Sequence, residues 1–196
     1  MFEVEPVVLE GRIVRLEPLG MEHAAGLERA LDDPDLFRWF PTRMNAAEGV
    51  AGWIKAAHED RDRGVALPFA TVHRESGEAI GSTRFGAIDR KHLRAEIGWT
   101  FLLRPWQRTG ANREAKYLML RHAMEVWKLR RVEFKTDSNN VQSRTALRGL
   151  GAQEEGTLRK HMVMPDGSPR DSVYFSILDT EWPAVKARLE ERGIGR

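Results

Sequence analysis

The sequence predicts a single domain of the α+β or mixed α/β class over residues 1–196, and three observations support that prediction. A chain of 196 residues is long enough to bury one sizeable hydrophobic core. Hydrophobic residues make up 41% of the chain and charged residues 31%, a balance typical of soluble globular proteins. Segments with helical spacing of apolar residues and segments with alternating polarity follow one another in mixed order, so neither class of element builds the fold alone.

The N-terminal part of the chain is predicted to form one strand and two helices. Alternating polarity predicts a strand over 12–17, and an apolar stripe predicts a helix over 21–31. A second helix shows apolar residues at helical spacing and is expected to end at Gly64. Asn45 can cap its start, and Glu48, three residues on, would complete a capping box.

The rest of the chain alternates between hairpins, single strands and helices. Turn residues, including Gly77 and Gly167, separate the strands of two predicted hairpins. The longest helix carries His122 and Val126 on its apolar face, so His122 is predicted to be a packed core histidine. The predicted elements after the second helix are strands 69–72 and 80–85, strand 95–103, helix 113–128, strand 131–136, helix 141–150, strands 157–164 and 172–178, and helix 181–192.

Composition excludes several classes of function. The chain has no cysteine, so disulfides, thiolate metal sites and a cysteine nucleophile are excluded. The six histidines show no metal-ligand spacing, and no metal is expected. The net charge of +2 comes from interspersed charges of both signs, which disfavours nucleic-acid binding. Apolar runs are too short to span a membrane and the start lacks a signal-peptide pattern, so the cytoplasm is the expected compartment.

A short loop before the longest helix is the clearest candidate for a ligand site. Gly110 would let the backbone approach a ligand closely, and the helix start leaves N–H groups unpaired. Arg108, Arg113 and Lys116 would add positive charge, which together with the helix dipole suits a phosphate. The alternative is an ordinary connection whose glycine only permits a turn.

Several segments resemble the GNAT superfamily of N-acetyltransferases, and specifically its RimJ/RimL branch. The stretch 107–112, Gln-Arg-Thr-Gly-Ala-Asn, resembles the family's loop for the pyrophosphate of coenzyme A. Residues 96–99, Glu-Ile-Gly-Trp, resemble its bulged fourth strand, and residues 140–143 and 150–152 resemble two signatures of the branch. The resemblance implies a GNAT fold: a mixed, mostly antiparallel sheet splayed at its fourth strand, with helices on both faces. It also implies acetyl-CoA as cosubstrate.

The resemblance assigns roles to individual residues. Glu96 is expected to be the general base, and Ser143 to protonate the leaving thiolate because Leu147 stands where many family members have a tyrosine. Glu96 could instead face solvent or pair with Arg84 or Arg94, and Asn140 with Ser143 could merely cap a helix. The expected cofactor-binding residues are Trp99, Thr100, Phe101, Leu102, Gln107, Arg108, Thr109, Gly110, Ala111, Asn112, Arg113, Asn140 and Ser143.

The acceptor is less well defined by the sequence. Candidate acceptor-binding residues are Trp39, Phe40, Arg43, Arg84 and His161. The branch implies transfer to a primary amine, with the α-amine of a protein or peptide ahead of a small-molecule amine. A non-catalytic acyl-CoA-binding protein is a third alternative. Dimers are frequent in the family, so a homodimer is an option.

Overall fold

The computed structural model describes residues 2–33, 35–42 and 48–195, and its centre is one eight-stranded sheet. Along the sheet the order is β1-β2-β3-β4-β5-β6-β8-β7, and all neighbours are antiparallel except the parallel pair β5 and β6. The strands are β1 (Leu9–Glu10), β2 (Val14–Pro18), β3 (Leu67–His73), β4 (Ala79–Asp89), β5 (Arg94–Leu102), β6 (Arg131–Asp137), β7 (Gln153–Val163) and β8 (Pro169–Leu178).

Helices cover both faces of this sheet, as predicted. One buried apolar cluster includes residues of α3, α4 and α5, and a second lies between the sheet, α1 and α2. The helices are α1 (Ala24–Leu27), α2 (Gly49–Asp62), α3 (Ala111–Arg121), α4 (Val141–Leu150) and α5 (Trp182–Glu191). No helix in the described ranges is long and apolar enough to cross a membrane.

The sheet splits between β5 and β6. Their parallel pairing ends at Glu96 and Glu133, although β5 continues to Leu102 and β6 to Asp137. Just beyond the last pair, β5 contains a bulge: Trp99, with φ of +50°, and Thr100 lie opposite one residue of β4, Thr83. A bulge bends its strand and increases the local twist. The splayed fourth strand predicted from the sequence, here β5, is therefore confirmed.

The two N-terminal helices differ from their predictions. The predicted helix 21–31 is an irregular succession of a 3₁₀ turn, α1 and a second 3₁₀ turn. Gly26 lies where an added Cβ would come within 2.9 Å of Ala79, so close packing on β4 accompanies this irregularity. The predicted capping box was wrong, because Glu48 precedes α2 as its N-cap instead of lying inside its first turn. Asn45 lies outside the described residues.

The longest predicted helix changes its winding near its end. After α3 the chain makes a π turn over 122–126, where the N–H of Trp127 donates to the carbonyl of His122. The wider turn rotates the next residues around the axis. Val126 is therefore 63% exposed, contrary to its predicted place in the core. His122 packs beside the rings of Phe85 and Trp127, and its burial lowers its pKa, in agreement with the predicted packed histidine.

Candidate active site

The loop that precedes α3 is held in place by its own side chains. The side-chain amide of Gln107 donates to the carbonyl of Leu102 at 3.0 Å, and the hydroxyl of Thr109 donates to the carbonyl of Trp106 at 2.7 Å. Arg108 and Gly110 both have positive φ, +64° and +97°, and Gly110 is the N-cap of α3. This backbone path brings the first N–H groups of the helix to the loop.

The loop has the groups that a pyrophosphate requires. Arg108 and Arg113 are exposed, and the helix start adds N–H donors and the positive end of its dipole. Asn112 is different, because its side-chain oxygen is buried without a hydrogen-bond partner among the described residues. That oxygen can accept a hydrogen bond from a ligand but cannot bind an anionic oxygen. The donor set as a whole fits a diphosphate, and this fit is carried by backbone N–H groups and arginines.

Lys116 does not belong to this phosphate site, contrary to the sequence prediction. Its ammonium group contacts Thr100 at 2.5 Å and Thr83 at 3.3 Å, on the side of α3 that faces the sheet. Only 7% of the residue is exposed. Burial lowers the pKa of Lys116 to about 7, against the attraction of Glu96. Proximity in sequence was misleading because the side chain of Lys116 points from α3 toward β4 and β5, whereas Arg113 is exposed.

Glu96 lies at the vertex where the sheet splits. It pairs with Glu133 in the last residue pair between β5 and β6, and only 6% of the residue is exposed. Lys135, on β6, reaches across the split to its carboxylate at 3.0 Å. The solvent-facing alternative was therefore wrong, and so were the alternative partners.

Arg84 and Arg94 are paired with other acids. Arg84 contacts Asp60 at 3.1 Å, and Arg94 contacts Asp89 and Glu133, each at 3.4 Å. These pairs leave the Glu96 carboxylate beside Lys135, at the open end of the parallel pairing between β5 and β6.

One wall beside the bulge is aromatic and cationic. The guanidinium carbon of Arg84 lies 5.2 Å from the ring centre of Trp53 and 5.2 Å from that of Trp99. Burial lowers the pKa of Arg84 to about 10, while Asp60 favours its charged form. The group is still charged at neutral pH. Phe40 packs near Trp53, with ring centres 6.0 Å apart, so it extends the same wall.

The opposite wall is formed by residues of β6 and β8 together with Trp39. Arg170 is 4% exposed and donates to the main-chain carbonyl of Trp39 at 3.0 Å. Its Nε lies 4.0 Å from the carboxylate of Asp137. Burial lowers the pKa of Arg170, and Asp137, Glu96 and Tyr174 oppose that shift. These interactions place Trp39 close to the split between β5 and β6.

Asn140 and Ser143 have the capping geometry that propensity alone suggested. The side-chain oxygen of Asn140 accepts from the N–H of Ser143 at 3.0 Å, which leaves the amide nitrogen of Asn140 as its donor toward a ligand. Ser143 is half-buried in the first turn of α4, directly after β6. Leu147 is buried in the core and has no proton to give.

The other predicted site residues lie around the same split or outside the described chain. Phe101 and Leu102 have buried side chains, so any contact of these residues with a cofactor would use their backbone. His161 is exposed on β7, with its ring 5.7 Å from Tyr174 and its Nδ1 3.0 Å from the Ser172 hydroxyl. Arg43 lies outside the described residues. In the part of the chain that is described, no group of three or more His, Asp or Glu side chains is placed to hold a metal ion.

Comparison with known proteins identifies the family. Residues 14–153 match the family model described as "Acetyltransferase (GNAT) domain". The chain belongs to this family. It is 32% identical over 176 residues to a Bacillus subtilis (strain 168) protein, "Uncharacterized N-acetyltransferase YoaA", which covers 88% of this chain and 97% of the relative. The protein is therefore an acyl-CoA-dependent acetyltransferase.

Solved structures of similar proteins share the whole fold. A T. thermophilus protein, described as a "putative acetyltransferase", has a TM-score of 0.88 at 39% identity, covering 97% of this chain and 99% of that one. Mycobacterium smegmatis RimJ, solved in complex with CoA-disulfide, has a TM-score of 0.84 at 26% identity, covering 96% and 95% of the two chains. Coverage this complete means that each likeness extends over nearly the whole chain.

The main residues that sequence reasoning missed in this acetyltransferase are Lys135, Arg170 and Asp137. Lys135 follows Glu133 by two positions in an alternating strand, so both side chains lie on one face of β6. That spacing was a usable signal, since two charged residues on a central strand need partners. The identity of the partner depends on the parallel register of β5 and β6, which is not visible in the sequence.

Gly110→Val is expected to raise the KM for acetyl-CoA at least about tenfold, equivalent to about 1.4 kcal/mol of binding. The φ of Gly110 is +97°, and an added Cβ would lie 3.3 Å from Ile13, so valine forces the loop away from its path. Gly77→Val is the matched control, since Gly77 has φ of +70° in the β3–β4 turn with nothing within 4 Å. An unchanged KM in Gly110→Val, with a folded protein, would place the phosphates elsewhere.

Proposed function

We propose that this acetyltransferase moves acetyl from acetyl-CoA to the α-amine of a protein or peptide, by direct attack in a ternary complex. The observation that carries the proposal is the position of Glu96, buried where β5 and β6 separate. The N-terminus of α3 supplies the phosphate site at the far end of β5. We propose that residues 1–196 form one domain. The cytoplasmic location and the homodimer stay predictions.

In the proposed reaction each step has a residue of the chain in a stated role. Glu96 accepts the proton that the attacking amine loses as its nitrogen bonds to the thioester carbon. Backbone N–H groups near Trp99 or Thr100 stabilise the oxyanion of the tetrahedral intermediate. The carbon–sulfur bond then breaks, and Ser143 or water protonates the thiolate of CoA. The products are the N-acetylated amine and CoA.

The electrostatics of the split favour an acceptor that loses its proton readily. Deprotonating an α-amine with a pKa near ~8 costs about 1.4 kcal/mol at pH 7, whereas a lysine side chain near ~10.4 costs about 4.6 kcal/mol. Lys135 already contacts one oxygen of the Glu96 carboxylate at 3.0 Å. A modest base suffices for an α-amine. The resemblance of residues 140–143 and 150–152 to signatures of the RimJ/RimL branch supports the same class of acceptor.

A small amine that also carries a carboxylate is the second candidate. Arg84 and Arg170 are both buried beside the split, and an arginine fork matches a carboxylate geometrically. Amino acids and related small amines therefore belong in the acceptor panel with N-terminal peptides. Acetylation of small amines but not of peptides would favour this second candidate. Cofactor binding without acetylation of any amine would indicate an acyl-CoA-binding protein without catalysis.

Acetyl-CoA is expected to stabilise the folded enzyme. At 100 times its Kd, a ligand that binds only the native state adds about 2.7 kcal/mol to the free energy of unfolding. Thermal unfolding with acetyl-CoA should show a clear rise in Tm, and nucleotides without pantetheine should give a smaller one, because they leave the split between β5 and β6 unfilled. No shift with millimolar acetyl-CoA or CoA would contradict the proposed cofactor site.

A further inference from the structure

Lys116 is a buried basic residue that none of the proposed steps uses. It lies in the middle of α3, and among its electrostatic partners Glu96 is the charged group that attracts it. Its direct contacts are two threonines, one on β4 and one on β5. A buried ammonium group without a carboxylate in contact is costly. A merely structural contact at this position could be made by an apolar side chain.

The contacts of Lys116 connect the bulge of β5 to α3. Its Nζ donates to the hydroxyls of Thr100 and Thr83, which lie 2.8 Å from each other. The Thr100 hydroxyl also contacts the carbonyl of Gly98 at 3.2 Å. Gly98 and Thr100 flank Trp99, whose φ is +50°. The network therefore joins both ends of the bulge to α3 and to Thr83, the residue of β4 opposite the bulge.

The chemistry of this pocket suits an amine that gives two hydrogen bonds. A neutral amine has two N–H groups, which match the two threonine oxygens, whereas an ammonium group has a third N–H to satisfy. The pKa of Lys116, lowered by burial to about 7, agrees with this count. Both the neutral and the charged form of the side chain can donate to the threonines, so these hydrogen bonds persist on either side of neutral pH.

We propose that Lys116 is a positioning residue, which holds the Gly98–Thr100 bulge in the geometry that directs the N–H groups of β5 toward the thioester. It acts through Thr100 and Thr83 and touches neither substrate. The inference rests on the proposed function, because the bulge N–H groups matter only if they stabilise the oxyanion. An oxyanion-hole donor acts on the transition state. Removing the contacts of Lys116 should therefore lower kcat rather than weaken substrate binding.

Lys116→Met tests this role, because methionine fills the same space without donating a hydrogen bond. We expect kcat to fall at least about tenfold, with the KM and the calorimetric Kd for acetyl-CoA changed by less than about twofold. The amide resonances of Trp99 and Thr100 should shift in ¹H–¹⁵N spectra of the variant without any substrate present. Lys91→Met, at an exposed turn between β4 and β5, is the matched control and should leave all of these readouts unchanged.

Thr83→Val provides an independent variant of the same network. It removes one acceptor of Lys116 without altering the helix, and its kcat should fall in the same direction. In the double variant with Lys116→Met the two losses should not multiply, because both act through one bulge. Wild-type kcat and unshifted Trp99 and Thr100 amides in Lys116→Met would overturn the inference. Failure of the proposed function would give a different result, because the wild-type protein itself would then acetylate no amine.

Discussion

Glu96→Gln is expected to lower kcat at least about 100-fold, because removing a general base typically costs about 10²–10⁴ in rate. Acetyl-CoA affinity should change little, since Glu96 lies at the vertex of the split and not at the phosphate loop. The loss should be larger for a lysine-like acceptor than for an α-amine, which deprotonates more easily. In pH–rate profiles the variant should keep only the acid-side decline caused by protonation of the acceptor itself.

The partner of Glu96 requires a second variant as a control. Glutamine leaves the partly buried Lys135 without its carboxylate, so Glu96→Gln should also lower Tm. Adding Lys135→Met removes the unpaired charge and should restore Tm while kcat stays low. Wild-type kcat in Glu96→Gln would show that water carries the amine proton.

Ser143→Ala should lower kcat about tenfold, which corresponds to about 1.4 kcal/mol. The effect is small because a thiolate with a pKa near ~8.5 is readily protonated by water.

The parts of this fold that the sequence predicted well are those determined by local chemistry. The helix over 141–150 was predicted with its observed bounds because Asn140 caps it and Gly151, with φ of +108°, ends it. The β5–α3 loop was likewise found from one glycine and the residues around it. Capping and positive φ are properties of a few neighbouring residues, so a single sequence contains them.

The candidate site was predicted less completely because its contacts join distant parts of the chain. Lys135 meets Glu96 across 39 residues, and Arg170 meets the carbonyl of Trp39 across 131. The order of strands in the sheet brings these residues together, and residue patterns do not specify that order. The error on Lys116 has the same origin. It lies six residues after Gly110, but the helix turns it toward β4 and β5.

Lys116→Met is expected to raise the stability of the enzyme at neutral pH, which is the opposite of what loss of a structural hydrogen bond would do. The pKa of Lys116 falls from 10.5 to about 7 in the folded state. Between these two values the unfolded chain binds more protons, so this residue makes the free energy of unfolding rise with pH. Its destabilising effect is full below about pH 7 and disappears above about pH 10.5.

A shift of this size corresponds to at most about 5 kcal/mol, at 1.36 kcal/mol per pH unit. Urea unfolding of wild type and Lys116→Met at about pH 6, 7, 9 and 10 would measure the difference, with Lys91→Met as the exposed control. The variant should be most stabilised at pH 6 and 7 and approach the wild type by pH 10, because the threonine hydroxyls still bond each other and Gly98. Lower stability of the variant at every pH would show that Lys116 supports the fold. Higher stability combined with lower kcat would show that the buried lysine serves the reaction at the expense of the fold.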